Sequence, residues 1–234
     1  MERGLVETRA KAQALILAGK VRVDGQCADK PGRSVASLNR IEVEQPLQYV
    51  SRGGIKLAAA LTAFAIPVEG RICLDVGTST GGFTDCLLQH GALRVHAVDT
   101  GAGQIDWKLR NDPRVVLHER TNARYLQMSE IGEKVEIIAC DVSFISVRLL
   151  LPALAPLLAA GGDWIILVKP QFEAGREQVG KGGIVRDPAV HQAVCAKVAG
   201  SLQELGFGSS VIPSPITGSE GNVEFLLHAR QVGT

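Results

Sequence analysis

Residues 73–92, CLDVGTSTGGFTDCLLQHGA, read as an apolar strand running into a glycine-rich loop and then into a helix. Such a turn brings backbone N–H groups and a helix start to whatever ligand it faces. The glycine spacing narrows the choice of ligand. Gly77, Gly81 and Gly82 give G-x-x-x-G-G, not the G-x-G-x-x-G of dinucleotide sites. A triphosphate loop would close on Gly-Lys-Ser/Thr, and Gly82-Phe83-Thr84 has no lysine. A small zwitterion joined to a nucleoside remains, and S-adenosyl-methionine fits that description.

On both sides of this stretch the chain repeats strand, loop and helix. Strands are predicted at 72–76, 94–98, 114–117, 136–140 and 164–168, and helices over about 54–65, 82–90, 147–159 and 187–205. SSVIPSPI and NVEFLLHAR close the chain as two strands with no helix between them. This alternation implies an α/β fold built on an open sheet with helices on both faces. Ligands of such sheets bind beyond the carboxyl ends of the strands. Standing there are Asp75-Val76-Gly77, Asp99, Glu119 to Ala123, Asp141 and Lys169. Asp99, after the second strand, is where an acid would meet ribose hydroxyls. Asp75, Gly77, Ser79, Gly81, Gly82, Phe83 and Asp141 complete the candidate cofactor set. Asn122 and Ala123 in ERTNAR either face an adenine ring or form a plain turn. Taken singly, each of these residues could equally be a tight turn or a helix N-cap.

Composition sets bounds. At 234 residues, 46% hydrophobic and 21% charged, the chain can fold as one large or two small domains with full cores. A net charge of +1 gives no global pull toward nucleic acid or membrane, yet residues 1–56 hold ten Lys/Arg against six Asp/Glu. No stretch reaches the ~18 apolar residues of a membrane span. The best candidate, LLLPALAPLLAAGGDWIILV, is broken by Pro152, Pro156, Gly161, Gly162 and Asp163. No secretory leader pattern is visible. Cys27, Cys73, Cys86, Cys140 and Cys195 are odd in number and lack C-x-x-C spacing. Neither a disulfide framework nor a metal site is expected, and buried thiols in a reducing cytoplasm are.

The basic bias coincides with a smaller unit. LVETRAKAQALILAG spaces a helix with Ala14, Leu15, Leu17 and Ala18 on its apolar face and Gly19 as its stop. KVRVDGQ turns at Asp24-Gly25 as a hairpin, and RIEVE alternates again. The expected organisation is a small α+β domain over 1–48, a linker over 49–53 and the α/β domain over 54–234. Arg9, Lys11, Lys20 and Arg22 lie on the helix and hairpin, where they could meet RNA phosphates.

ETRAKAQALILAGKVRVDGQ, YVSRGGIKL, LDVGTSTGGFTDCLLQHGA, DTGAGQIDWKLRNDPRV, ERTNAR, DVSFIS, LVKPQFEAG and KGGIVRDP span nearly the whole chain. In these stretches it resembles the TlyA group of ribosomal RNA methyltransferases. That group joins an RNA-binding domain of the ribosomal-protein-S-four type to an FtsJ/RrmJ-like catalytic domain, and some members carry a hemolysin label. The resemblance implies a Rossmann-like methyltransferase sheet with an antiparallel last strand, and S-adenosyl-methionine as cofactor. It implies 2′-O-methylation of ribosomal RNA, at a cytidine of the large subunit with a small-subunit site optional. It also implies a catalytic set that falls on Lys56, Asp141, Lys169 and Glu224. Members of the group begin with a few more residues than MERGLVETR, so the first helix is expected to be shortened.

A ribose hydroxyl is a poor acid, so its methylation needs a base or electrostatic help. Two lysines in one pocket would disfavour each other's charge, with Lys169 at the hydroxyl, Asp141 and Lys56 tuning it and Glu224 positioning the group. Read without that context, Lys56 is a surface lysine and Glu224 an edge-strand charge. Ser143 and Phe144 are candidates for contact with the target nucleotide. The fourth strand end lacks the Asn/Asp-Pro-Pro-aromatic run of amine methylation, and no cysteine has the context for carbon-5 methylation. EAGREQVGKGGIVRDP reads as a lid over substrate or an ordinary surface loop. The rival functions are a non-catalytic RNA-binding or ribosome-assembly protein and a membrane-active hemolysin.

Overall fold

Asp24 and Gly25 both take positive φ, 49° and 79°, the geometry of a two-residue hairpin turn. In the computed structural model, which describes residues 3–44 and 47–232, this turn joins β1 (Val21–Val23) to β2 (Gln26–Cys27), and β3 (Ile41–Val43) pairs with β1 on its other side. Helix α1 (Arg9–Leu17) starts on Thr8, whose hydroxyl accepts from the Lys11 N–H at 3.2 Å. Its apolar face is not the predicted one. Leu15 and Ile16 pack on Val21, Val23 and Ala28, while Ala14 and Ala18 are exposed and Leu17 is 71% exposed. Ala12, Leu15 and Ile16 form the i, i+3, i+4 stripe that a helix turns to one side. Residues 1–2, in the segment read as a shortened start, and 45–46, in the predicted boundary, lie outside the described residues.

Residues 48–234 form the second unit. The segment 49–53, expected to be a linker, is packed into it. Tyr49 is buried, the Val50 N–H donates to Asp85 Oδ2 at 2.8 Å, and α2 (Arg52–Ala63) begins within the segment. After α2 come β4 (Ile72–Val76), α3 (Gly82–Gln89), β5 (Arg94–Val98), α4 (Trp107–Arg110), β6 (Val115–His118), α5 (Met128–Ile131) and β7 (Val135–Cys140). The chain continues through α6 (Leu151–Leu154), β8 (Leu158–Val168), α7 (Pro170–Glu173), α8 (Pro188–Glu204), β9 (Phe207–Pro213) and β10 (Phe225–Gln231). The sheet order is β6-β5-β4-β7-β8-β10-β9. Strands β4 to β8 run parallel, and the last strand, β10, inserts antiparallel between β8 and β9.

Both faces of this sheet are covered, which explains its unbroken apolar strands. Ile138, Cys140, Trp164, Ile166 and Val168 face the cluster that includes α6 and α8. Ile137, Ala139, Ile165 and Leu167 face the cluster that includes α2 and α3. The helix predicted over 147–159 does not form as one piece. Its proline-interrupted sequence gives a 3₁₀ turn, the four-residue α6 and a second 3₁₀ turn, and Leu158 already belongs to β8. Strand β8 is correspondingly longer than 164–168, because a bulge lies between Leu158 and Asp163, which pair with Val135 and Ile137 of β7. Among the thiols, Cys73, Cys86 and Cys140 are buried as expected, but Cys27 is exposed and Cys195 half-buried. No described helix is long and apolar enough to cross a membrane.

Helices α2 and α3 approach each other through glycines. A Cβ on Gly82 would sit 3.0 Å from the Gly54 nitrogen, and one on Gly54 would sit 2.3 Å from the Tyr49 ring. This contact fixes where α2 delivers Lys56. Gly54→Ala is therefore expected to lower stability by about 1–3 kcal/mol through overpacking, read as a drop in the urea midpoint at unchanged slope.

Candidate active site

The loop after β4 rests on the end of β7. Gly77 has φ 86°, and a Cβ there would lie 2.3 Å from the carbonyl oxygen of Asp141. Only glycine tolerates both the conformation and the approach. The loop is held from below by Asp75, fully buried, whose Oδ2 accepts the N–H of Thr84 at 3.0 Å and its hydroxyl at 2.6 Å. Burial, reinforced by the charges of Asp141 and Asp99 and opposed by the Thr84 bonds, pushes the Asp75 carboxyl up to about 7. Above the loop, Asp99 accepts the Ser79 N–H and the Gly101 N–H, each at 2.7 Å.

Two adjoining hollows open at these strand ends. A cleft of about 630 Å³ runs from Gly77, Ser79 and Asp99 past Asn122 and Ala123 to Val142, Phe144 and Leu150, within the ~300–1,000 Å³ of small-molecule sites. A pocket of about 170 Å³ is lined by Ser51, Gly53, Lys56, Phe83, Ser143 and Lys169 among others. Gly77, Ser79, Asp141 and Ser143 line both. Two ion pairs bound the pocket. Lys169 Nζ lies 2.6 Å from Asp141 Oδ1 and donates to Ser143 Oγ at 2.9 Å. The Asp141 contact is a charge contact out of hydrogen-bond alignment, since that buried oxygen has no hydrogen-bond partner. Lys56 Nζ donates to Glu224 Oε2 at 2.5 Å, with both groups buried.

The structure thus brings Lys56 of α2 together with Asp141, Lys169 and Glu224, which stand just beyond the ends of β7, β8 and β10, although Glu224 stands behind Lys56 and does not line the pocket. The carboxylates expected to orient and position the lysines take one each: Asp141 pairs with Lys169, and Glu224 pairs with Lys56. Gly77, Ser79, Asp99, Asn122, Ala123 and Asp141 line the larger cleft. Asn122 also caps a short 3₁₀ turn, its Oδ1 accepting the Arg124 N–H at 3.0 Å, so this stretch is a turn on the wall of the cleft. Gly82 and Phe83 line the smaller pocket instead.

Asp75 and Gly81 line neither. Asp75 anchors the loop, and Gly81 takes φ 95° as the left-handed start of α3 against Leu109, 2.4 Å from where its Cβ would be. In the small unit, Arg9, Lys11, Lys20 and Arg22 are all exposed. Lys11 and Lys20 are paired with Glu7 and Glu44, at 3.3 and 2.7 Å.

Some residues at the site gave no signal in the sequence reading. Gly218 abuts the second ion pair, since a Cβ there would meet Glu224 Oε1 at 2.2 Å. Gln104 lines the cleft. Glu173 accepts the Ser146 hydroxyl at 2.6 Å and the Val147 N–H at 2.7 Å, and burial pushes its carboxyl up against those bonds. The position of Glu173, four residues past a strand-end lysine in KPQFE, was the one available hint.

A parallel sheet closed by one antiparallel hairpin strand, with a glycine loop and an acid after its second strand at its carboxyl edge, defines the protein as one of methyltransferase fold. Residues 49–231 match the FtsJ-like methyltransferase family and residues 2–37 the S4 domain. The chain is 50% identical over 233 residues to the 16S/23S rRNA (cytidine-2′-O)-methyltransferase TlyA of Mycobacterium tuberculosis, covering 98% of this chain and 87% of that protein. It is 44% identical to Hemolysin A of Brachyspira hyodysenteriae, over 96% of this chain and 95% of that one. A solved structure from Streptococcus thermophilus, bearing a provisional hemolysin name, superposes with a TM-score of 0.79 at 44% identity, covering 100% of this chain and 86% of that one. The chain belongs to the FtsJ-like methyltransferase family, within its TlyA group.

The state of Asp75 carries a pH prediction. Its folded pKa lies above the ordinary carboxylate value, so its contribution to stability is full below about pH 4 and is lost as pH rises through about 7. Between pH 5 and 8 the wild type should lose roughly 2.5 kcal/mol relative to Asp75→Asn. The measurement is urea unfolding of both proteins across that range, and parallel stability curves would refute the assignment.

Proposed function

We propose that the protein methylates a ribose 2′-hydroxyl of ribosomal RNA with S-adenosyl-methionine as donor. The observation that carries this reading is the pairing of a nucleoside-sized cleft with a lysine-lined pocket across one shared wall, Gly77, Ser79, Asp141 and Ser143. The cleft suits the donor. Asp99 spends one acceptor site of each oxygen on backbone N–H groups and keeps capacity for ribose hydroxyls. Val98, Val142, Ile145 and Leu150 offer apolar walls. Gly77 packs its bare backbone on the Asp141 carbonyl, so the loop and the end of β7 form one wall of both hollows. The 50% identity to an rRNA (cytidine-2′-O)-methyltransferase supports the RNA substrate and the cytidine target. So does the S4 domain. A ribosomal RNA substrate supports a cytoplasmic location.

When bound, S-adenosyl-methionine supplies a methyl group on a sulfonium and leaves as a neutral thioether. The residues of this chain handle the hydroxyl. Lys169 has three N–H bonds and gives one to Ser143, which leaves donor capacity for a ribose oxygen. Asp141 holds that ammonium in place by charge. As the oxygen takes the methyl group in place of its proton, the proton passes to the Lys169–Asp141 pair, whose carboxylate keeps one oxygen without a hydrogen-bond donor. Lys56 adds a second positive group at the pocket wall, fixed by Glu224. Preorganised charge of this kind stabilises developing negative charge without reorganisation. Phe144, 91% exposed beside the cleft, offers its ring to the target base.

Lys169→Ala should lower kcat by about 10²–10⁴-fold while the donor's calorimetric Kd stays within a factor of about three, because the cleft itself is intact. Methylation within twofold of wild type would remove Lys169 from the reaction. RNA affinity should fall steeply with salt, and replacing Arg9 and Arg22 together should flatten the log–log slope by roughly one to two units. Lys11 and Lys20 should matter less, their charge being shared with Glu7 and Glu44.

A further inference from the structure

Two segments at neighbouring strand ends, 141–147 after β7 and 169–173 after β8, are joined at several points. Lys169 reaches Asp141 and Ser143. The rings of Phe172 and Phe144 lie 5.2 Å apart, and Lys169 Nζ stands 6.0 Å over the Phe172 ring. Glu173 closes the far end by taking the Ser146 hydroxyl and the Val147 N–H on its two oxygens. Between these fastenings sits Phe144, which combines two unfavourable features. It is a bulky residue at φ 65°, where non-glycine backbone is strained, and the residue is 91% exposed. Neither its own burial nor its own backbone preference holds that pose. The restraint comes from the Phe172 ring on one side and from the flanking residues, Ser143 tied by Lys169 and Ser146–Val147 tied by Glu173.

We infer that Glu173 is a positioning residue for methyl transfer: its carboxylate clamps Ser146 and Val147 so that the strained, exposed Phe144 is presented beside the pocket. The inference rests on the reading of Phe144 as a contact for the target nucleotide. Glu173 itself lines neither hollow. Its replacement frees the 144–147 backbone to relax, and the ring leaves its place. Pro170, at the first turn of α7, sets the direction of the short helix that carries Phe172 and Glu173, so the clamp and Lys169 are built on one rigid turn.

The chemistry separates two substitutions. Glu173→Gln keeps one acceptor oxygen for the Val147 N–H, and the Ser146 hydroxyl can reverse to accept from the new amide. Glu173→Ala leaves both donors without a partner. The test has two arms on the full-length protein. In the first, hydrogen exchange is followed without RNA. Glu173→Ala should speed exchange over residues 144–150 by about tenfold or more and leave residues 77–84 unchanged, with Glu173→Gln close to wild type. In the second, methyl transfer to ribosomal RNA is measured in a double-mutant cycle with Phe144→Ala. Glu173→Ala should lower kcat by about ten- to a hundredfold, the cost of a small misplacement. It should leave the donor's Kd unchanged, be largely rescued by Gln, and change kcat less than about twofold once Phe144 is already Ala. Unchanged exchange in Glu173→Ala, or losses that simply multiply in the cycle, would overturn the inference. Wild-type protein that transfers no methyl group to ribosomal RNA would instead overturn the functional reading, and the exchange arm would still decide whether the clamp exists.

Discussion

The contact between Gly77 and the carbonyl of Asp141 is the constraint on which the site depends. It sets the ends of β4 and β7 against each other so closely that no side chain fits at Gly77. The same wall then serves the large cleft on one side and the lysine pocket on the other. A reaction that moves one carbon between two bound molecules needs such proximity more than it needs unusual acids or bases. Asp75 supports the contact from below through Thr84. The buried cost of that carboxyl is offset by the order it imposes on the loop.

Charge in the pocket is balanced in pairs. Lys169 with Asp141 and Lys56 with Glu224 arrive on or just beyond four different elements, and each ammonium finds a carboxylate before any substrate is present. Buried charges are tolerated on those terms, since an unpaired one would carry a desolvation penalty of several kcal/mol. Pairing also gives each lysine a fixed direction. For Lys169 that direction is shared with Ser143, and through α7 it is tied to the Phe144 segment. The pocket, the loop that presents the aromatic ring and the turn that carries the second lysine therefore form one mechanical unit at the carboxyl edge of the sheet.

The small N-terminal unit follows a different design. Its three short strands and one helix enclose a small apolar cluster, and much of its surface is charged. Two of its four candidate RNA contacts are half-neutralised within the unit.

Strand identity, the glycine loop and the acids and lysine at the strand ends were legible in the sequence, because a two-faced buried sheet imposes long apolar runs that stop where the ligand edge begins. The chain by itself thus determined the α/β architecture and the candidacy of Asp99, Asp141 and Lys169. It could not distinguish Asp75 and Gly81, which support the loop, from Gly77 and Ser79, which face the cleft, since all four share one motif and differ only in where their side chains or backbones point. Residues 49–53 looked like a tether, because Tyr49 lies in the proline- and glycine-bearing run QPLQYVSRGG, and only the fold shows its ring seated against Gly54. Only the tertiary structure paired Lys56 with Glu224 across 168 positions and put Glu173 on Ser146 and Val147. Such pairings depend on which strand ends become neighbours, and local periodicity carries no record of that.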